Sequence, residues 1–265
     1  MGRAEMVPYT AGRSRVLPLS WLLFGSFALV LCLGIAVVEG RTIPFAGREW
    51  EVRTEYGNPG PNHWSDDVQS VWVDSQGLHL KVRNINGTWH CAEVRTSLPT
   101  KYGMHRFYVA SRIDQLDLNV VASPFLYAND NQEIDIEFSR WNNSSPLANN
   151  AQYVVQPPPY TPDSLHPFHF NLNGDYSTHC IDWQVSQICF RSSHGHYAEP
   201  PSSNYVIQEW TYSGSNNPPE NADLHIHVNL WLIGGTPPSD NTEVEFIIKD
   251  IDLLPSAPRN LRIVP

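Results

Sequence analysis

The amino-acid sequence predicts an all-β fold, an antiparallel β-sandwich or jelly roll. Short strand-like runs recur along the chain and are separated by Gly, Pro, Asn and Asp, residues that favour turns. Helical periodicity is almost absent. Nine Trp, eleven Tyr and ten Phe supply large side chains that are common in strands. Two sheets packed face to face would bury so many half-apolar strands.

No internal repeat or linker is visible in the body of the chain, so residues 41–265 are predicted to form one domain. The prolines at 157–159 and the Asn-Asn-Pro-Pro segment at 216–219 are predicted to lie in loops. Twelve runs are predicted to be strands, residues 68–73, 78–82, 91–96, 106–113, 125–127, 133–138, 152–155, 179–184, 188–191, 204–212, 224–233 and 243–253.

Residues 1–40 are predicted to be a separate targeting segment. Three arginines precede an uncharged apolar run at 17–38. A positive segment followed by an apolar one is typical of a cleaved secretion signal, and small residues near Gly40 offer a cleavage point. The run is also long enough to span a bilayer, so an uncleaved signal anchor is the alternative. Both interpretations predict a secreted or extracytoplasmic protein, whose membrane contact would be this segment alone, if it is retained.

The charge of the chain argues against one class of partner. The formal net charge is −10 and no basic run occurs in the body, so a nucleic-acid partner is not expected. Low charge content combined with many aromatics and 22 prolines is typical of carbohydrate-active β-domains, although lectins and cell-surface modules share it. We expect a monomer.

Four cysteines occur, at 32, 91, 180 and 189. Cys32 falls in the apolar N-terminal run. Cys180 and Cys189 flank a predicted hairpin, and a two-residue turn at 184–185 would place them opposite each other. A disulfide in an oxidising compartment and a pair of buried thiols are both consistent with this pattern. No CxxC motif occurs, which argues against a cysteine zinc site.

The segment from Glu133 to Glu137 alternates three acids with two isoleucines. Side chains on a strand alternate between its faces, so Glu133, Asp135 and Glu137 share one face and Ile134 and Ile136 share the other. The isoleucine face suits a core. Three carboxylates on one face repel one another, which raises at least one pKa.

Two interpretations of this acidic face are open. It is the pattern of an ordinary solvated strand, and it is also the pattern of a site that needs one protonated and one ionised carboxyl, as glycoside hydrolysis does. The segment 123–127 upstream is apolar, and Phe138 downstream also favours a strand. These flanks predict that the acids lie on a central strand. Three acids on a central strand favour the site.

The chain resembles glycoside hydrolase family 16, whose signature strand reads Glu-x-Asp-x-Glu. Glu133 to Glu137 matches its uninterrupted form, which is similar to lichenases and xyloglucan-active members. Tyr102-Gly103, ahead of a strand expected to end at 112–113, resembles the family's Tyr-Gly strand. The segments 125–127, 178–183 and 227–231 resemble its apolar, His-Thr-Tyr…Trp and Asn-Leu-Trp strands, in the family's order over roughly residues 43–254.

The resemblance implies a jelly roll with a concave substrate-binding sheet and an exported endo-acting enzyme that cleaves a β-linked polysaccharide with retention. Glu133 would be the nucleophile and Glu137 the acid/base, while Asp135 would hydrogen-bond the nucleophile. A transglycosylase of the same family, a noncatalytic carbohydrate-binding module and an anchored adhesion protein are the alternatives. Residues 139–141 read Ser-Arg-Trp where lichenases and xyloglucan-active members usually continue with Leu-Gly, which leaves the polysaccharide open.

Five further residues are candidates for substrate binding. Trp183 and Trp231 lie on strands that match the family's cleft-lining sheet, with a core position as the alternative for each. Trp141 is expected at the rim of the cleft. His179 is a cleft residue or a structural histidine, and Asn229 is a hydrogen-bond donor to a sugar hydroxyl.

No cofactor is predicted. His225 and His227 share a strand face, but no third ligand has telling spacing, so no metal site is assigned. A structural calcium, known in parts of the family, is left open without ligands.

Overall fold

The computed structural model describes residues 40–255 of the chain, which form seventeen β-strands. The strands are β1 (Thr42–Phe45), β2 (Arg48–Val52), β3 (Glu55–Gly57), β4 (Asn62–Trp64), β5 (Val71–Asp74), β6 (Gly77–Ile85), β7 (Thr88–Thr96), β8 (Gly103–Val109), β9 (Val120–Asn129), β10 (Gln132–Phe138), β11 (Ala151–Val155), β12 (Leu165–Phe168), β13 (Ser177–Trp183), β14 (Ile188–His194), β15 (Val206–Tyr212), β16 (His225–Leu232) and β17 (Val244–Pro255). Four single-turn 3-10 helices, Ile113–Gln115, Ser203–Tyr205, Glu220–Ala222 and Ile233–Gly235, complete the described secondary structure.

The strands form two layers. One sheet has the order β1–β2–β7–β16–β9–β10–β11–β12. The other has the order β5–β6–β17–β8–β13–β14–β15. The far ends of β6 and β7 pair as a hairpin and join the two sheets. Across residues 40–255 the ladders are antiparallel except for the short pairing of β4 with β7, so the predicted antiparallel β-sandwich is confirmed.

The core lies between the sheets and follows from strand alternation. On β16 the even-numbered residues Ile226, Val228, Leu230 and Leu232 are buried, and they pack against the other sheet. Each fully buried aliphatic side chain contributes about 1.5–3 kcal/mol. Large aromatic side chains fill the rest of this layer, with Trp50, Phe107, Phe138, Trp183, Phe190 and Phe246 among the fully buried residues.

Two hairpins show how local sequence sets the turns. Asn86 and Gly87 join β6 to β7 with φ of 52° and 89°, as the two-residue turn of a twisted hairpin requires. Ala46 and Gly47 join β1 to β2 with φ of 48° and 69°. Asn-Gly is a strong signal for such a turn, whereas alanine rarely adopts positive φ.

All twelve predicted strands correspond to observed ones, with shifted ends. The strand predicted for 106–113 ends at Val109, and Ile113 begins a 3-10 turn instead. Five strands, β1 to β4 and β12, had no counterpart in the prediction. They contain three to five residues each, too short for a clear periodicity.

The predicted turn at 184–185 is wrong. Trp183 pairs with Ile188, so the loop has four residues, 184–187. Cys180 pairs with Arg191 and Cys189 with Asp182, which places the two cysteines diagonally rather than opposite each other. Both are free thiols, as is Cys91.

The predicted targeting segment at 1–40 lies almost wholly outside the described residues, as does Cys32. Among residues 40–255, no helix combines the length and the apolar character needed to cross a membrane.

Candidate active site

The three acids of β10 lie together in a cleft of about 1180 Å³. Glu133, Asp135 and Glu137 face this cleft, while Ile134 and Ile136 on the opposite face are fully buried in the core. β10 lies between β9 and β11, so the acids are carried by an interior strand whose backbone is paired on both sides. Strand pairing of this kind holds functional side chains more rigidly than a loop does.

Two glutamines, one on β11 and one just after it, donate hydrogen bonds to two of the three acids on the neighbouring strand β10. Gln152 pairs with Glu137 and donates from Nε2 to its Oε2 at 2.7 Å. Gln156, just after β11, donates from Nε2 to Oδ2 of Asp135 at 3.3 Å. The hydroxyl of Tyr160 in turn donates to Oε1 of Gln156 at 2.8 Å.

Burial raises the pKa of each acid, and neighbouring negative charges add to the rise for Glu133 and Asp135. Burial raises the pKa of Glu137 to about 7, although the hydrogen bond from Gln152 opposes the rise. Burial raises the pKa of Glu133 to about 8; a hydrogen bond with Asp135 opposes the rise and the charge of Glu137 adds to it. Burial, followed by the charges of both glutamates, raises the pKa of Asp135 well above its ordinary range.

These pKa values determine what the strand can do chemically. The three carboxyls are not all ionised at neutral pH, because burial raises the pKa of each of them and the charges of the two glutamates raise that of Asp135 further. Near pH 7 the strand therefore carries both protons and negative charge. A proton donor and an ionised carboxylate are available side by side, as acid/base and nucleophilic chemistry requires.

A second charged cluster faces the same cleft from neighbouring strands. Glu93 on β7 receives hydrogen bonds from Nδ1 of His227 at 2.9 Å and from Nη1 of Arg53 at 2.8 Å. Burial works to raise the pKa of Glu93, but His227 and Arg53 together hold it below its ordinary range. Glu93 is thus an ionised carboxylate, and its charge contributes to the raised pKa of Glu133.

Aromatic side chains line the remainder of the cleft. Phe125 and Tyr127 of β9 lie beside the acids, because Asp135 pairs with Phe125 and Glu133 with Tyr127. Trp141 and Trp231 meet edge to face with ring centroids 6.2 Å apart. The flat faces of aromatic rings can stack on the apolar sides of sugar rings.

Three of the five predicted binding residues line the cleft, namely Trp141, Asn229 and Trp231. Asn229 is 4% exposed and its Oδ1 has no hydrogen-bond partner. A buried polar atom without a partner is costly, so a ligand hydroxyl that donates to Oδ1 would remove that cost.

The other two predicted binding residues, Trp183 and His179, lie in the core, and this expectation is corrected. Trp183 is fully buried on β13, where its Nε1 donates to the carbonyl of Pro218 at 3.0 Å. His179 is fully buried between the hydroxyls of Ser177 and Ser192. Burial lowers the pKa of His179 to about 3, so it is a neutral structural histidine.

Most of the groups that surround the acids carry no recognisable signal in the sequence. Glu93 and His227 come from two strands and Arg53 from the link between β2 and β3, and their contacts span 40 and 134 residues of chain. No local pattern marks them, apart from the polar positions that alternate with apolar ones on β16. Gln152 and Gln156 could have been found, because they share the spacing of the acids on the next strand.

Among residues 40–255, no group of three or more His, Cys, Asp or Glu side chains is arranged to hold an ion, so the calcium left open above has no ligands assigned. Nδ1 of His225 contacts the carbonyl of Thr96 at 2.6 Å, whereas His227 contacts Glu93.

Solved structures share this fold. A β-glucanase from Bacillus licheniformis is 21% identical with a TM-score of 0.53, over 77% of this chain and 91% of that one. A β-1,3-glucanase from Mycobacterium marinum is 15% identical with a TM-score of 0.56, over 80% and 93%. A glycoside hydrolase family 16 endo-glucanase from Bacteroides ovatus is 14% identical with a TM-score of 0.54, over 77% and 94%. No family model and no curated protein matches the chain. The chain therefore has the jelly-roll fold of these glucanases.

Proposed function

We propose that the protein is an endo-acting glycoside hydrolase that cleaves a β-linked polysaccharide of the β-glucan type by a retaining double displacement. The observation that carries the proposal is the row Glu133, Asp135 and Glu137, three acids with raised pKa values in the middle of an open aromatic cleft. The β-glucanases from Bacillus licheniformis and Mycobacterium marinum share this fold, which supports the choice of substrate class.

In the first step Glu137 protonates the leaving glycosidic oxygen while Glu133 attacks the anomeric carbon, which gives a covalent glycosyl-enzyme and releases the leaving sugar. In the second step Glu137, now ionised, takes a proton from water, and that water displaces Glu133 from the anomeric carbon. Asp135 keeps its proton and donates a hydrogen bond to Glu133, which stabilises the negative charge of the Glu133 carboxylate. The raised pKa values of the row keep at least one proton on it at neutral pH, and the reacting state is the one in which that proton lies on Glu137 while Glu133 is ionised.

Retention requires the two reacting carboxyls to lie about 5–5.5 Å apart. The Cα atoms of Glu133 and Glu137 are roughly 13 Å apart on a strand, so both side chains must lean toward Asp135. The cleft crosses the sheet from Tyr160 beyond β11 to Tyr56 on β3. A chain of several sugar rings fits such a cleft, which supports cleavage within the polysaccharide rather than at its end.

The proposal is tested by assaying the purified protein on mixed-linkage glucan, laminarin, xyloglucan, agarose and carrageenan. We expect reducing ends from a β-glucan and a β-configured product by NMR at early times. Glu133→Gln and Glu137→Gln should each abolish turnover, whereas the exposed Glu49→Gln should not. Inverted product would refute the retaining mechanism, and glucan binding without turnover would identify a binding module instead.

Export is a further part of the proposal and rests on residues 17–38 alone. We expect the protein outside the cytoplasm, either released after cleavage or held at the membrane by that segment. Fractionation with N-terminal sequencing of the mature chain would decide between these forms. Recovery of the intact chain in the cytoplasm would refute export.

A further inference from the structure

The hydrogen bonds around Asp135 continue beyond the three acids. Asp135 is 3% exposed and receives a hydrogen bond from Gln156, which receives one from Tyr160. The chain of contacts runs from a loop at the rim of the cleft, where Tyr160 is 46% exposed, to the middle of β10. We propose that Gln156, oriented by Tyr160, is a positioning residue that directs the proton of Asp135 toward Glu133.

The backbone makes Gln156 well suited to this role. Its amide N–H donates to the carbonyl oxygen of Glu133 at 3.1 Å, which extends the β10–β11 ladder by one residue beyond Val155. Side chains of a strand alternate, so Gln152 and Gln156 both reach the face that carries the acids. Gln156 is thus tied to Glu133 by its backbone and to Asp135 by its side chain.

The direction of the hydrogen bonds determines where the proton of Asp135 lies. The carbonyl oxygen of a protonated carboxyl is a better acceptor than its hydroxyl oxygen, so the contact from Nε2 of Gln156 favours Oδ2 of Asp135 as the oxygen without the proton. The proton then resides on Oδ1, from which it is shared with Glu133. Without this contact either oxygen could hold the proton, and the hydroxyl could turn away from Glu133.

Tyr160 determines which end of the Gln156 amide faces the acid. Burial raises the pKa of Tyr160, and the nearby acids add to the rise, so its hydroxyl stays protonated in the neutral range. That hydroxyl donates to Oε1 of Gln156 and leaves Nε2 to face Asp135. The opposite amide orientation would place two acceptors against each other.

The other ionisable groups near Asp135 cannot replace this contact. Each of them either carries negative charge or makes its hydrogen bond to a group other than Asp135. Ordered by element, they are Glu133 and Glu137 on β10, Tyr127 on β9 with its partner Asp130, His227 on β16 with its partner Glu93 on β7, Arg53 after β2, which donates to Glu93, and Tyr160 after β11. Gln156 is the neutral donor that reaches Asp135 within the described residues.

The first test measures protonation and needs no substrate. The full-length protein is labelled with 13C at aspartate Cγ, and the resonance of Asp135, assigned through Asp135→Asn, is followed with pH. A donor to the ionised carboxyl lowers its pKa, and Gln156 does so here. Gln156→Met should therefore raise the apparent pKa of Asp135 by about 0.5–1 pH unit. Tyr160→Phe should raise it by less, and Gln156→Glu by more, because it adds charge.

The second test measures turnover and rests on the proposed function. On mixed-linkage glucan we expect Gln156→Met to lower kcat about tenfold with KM nearly unchanged, because a misdirected proton affects the reacting state more than binding. Tyr176→Phe removes an exposed tyrosine hydroxyl remote from the cleft and is the matched control.

The outcomes separate the two proposals. An unshifted Asp135 titration in a folded Gln156→Met protein would overturn the positioning role, whatever the activity. Equal losses of kcat in Gln156→Met and in the Tyr176→Phe control would also overturn it. A third outcome would be a shifted Asp135 titration in Gln156→Met together with a wild-type protein that turns over none of the polysaccharides. That result would refute the proposed function and leave the positioning of the proton intact.

Discussion

Replacing Glu137 by glutamine separates what the acid does for catalysis from what it costs the fold. The amide has nearly the same shape, and its carbonyl oxygen can still accept the hydrogen bond that Gln152 donates. Ionising a carboxyl near pH 7 rather than 4.5 costs the folded state about 3 kcal/mol, at about 1.4 kcal/mol per pH unit. The cost is absent below the unfolded pKa of 4.5, grows as the pH rises, and is complete above about 7.

Glu137→Gln should therefore be more stable than the wild type only at high pH. We expect nearly equal melting temperatures at about pH 4.5 and a variant that melts roughly 5–10 °C higher at about pH 8.5. Turnover should fall by about 10²- to 10⁴-fold or more at every pH. Calorimetry of both proteins across this range is the assay, with exposed Glu49→Gln as control. A variant no more stable than wild type at high pH would refute the burial of the Glu137 carboxyl as the cause of its raised pKa.

Three further predictions follow from the same structure. The kcat/KM profile of the wild type should be bell-shaped with limbs near 7 and 8, and activity unchanged down to about pH 4 would contradict the raised pKa values. Trp231→Ala should raise KM with little loss of stability, whereas Trp183→Ala should destabilise the fold by about 3–5 kcal/mol; equal melting losses would show that the two are not differently placed. Cys180 and Cys189 should be alkylated as free thiols after unfolding without reductant, and a disulfide-linked peptide in mass spectrometry would contradict the structure.

The sequence predicted the sheets well where strands were long and alternating. Long strands repeat the two-residue period several times, which separates them from loops. The first hairpin escaped prediction because its turn begins with Ala46, a residue that seldom adopts φ of 48°. Its register depends on the contact of Trp50 with the core rather than on a turn motif.

The site was predictable only in part, and the two tryptophans show why. On β16 the apolar residues Val228 and Leu230 occupy the core face, so Trp231 must point the other way, into the cleft. The same counting on β13 places Trp183 with Ile181 on the core face. Family resemblance placed both tryptophans in the cleft, whereas alternation along each strand distinguishes them.

Contacts that join distant strands could not be predicted. Glu93 and His227 are 134 residues apart and meet because β7 and β16 are neighbours in the sheet. Only the strand order, which depends on the packing of the whole domain, brings them together. The raised pKa values were anticipated in direction from like charges, but their largest cause is burial, which requires the fold.

Because acids and isoleucines alternate on β10, the burial of the core and the placement of the acids depend on the same strand register. A slip of the strand by one residue would place Glu133, Asp135 and Glu137 between the sheets and expose Ile134 and Ile136 to the cleft. Even as neutral groups, three carboxyls without hydrogen-bond partners between the sheets would cost about 1–3 kcal/mol each, a large share of the roughly 5–15 kcal/mol that stabilises a domain. The register that buries the two isoleucines is therefore also the register that places the three acids in the cleft, so a slip of this strand would destabilise the fold as well as displace the acids.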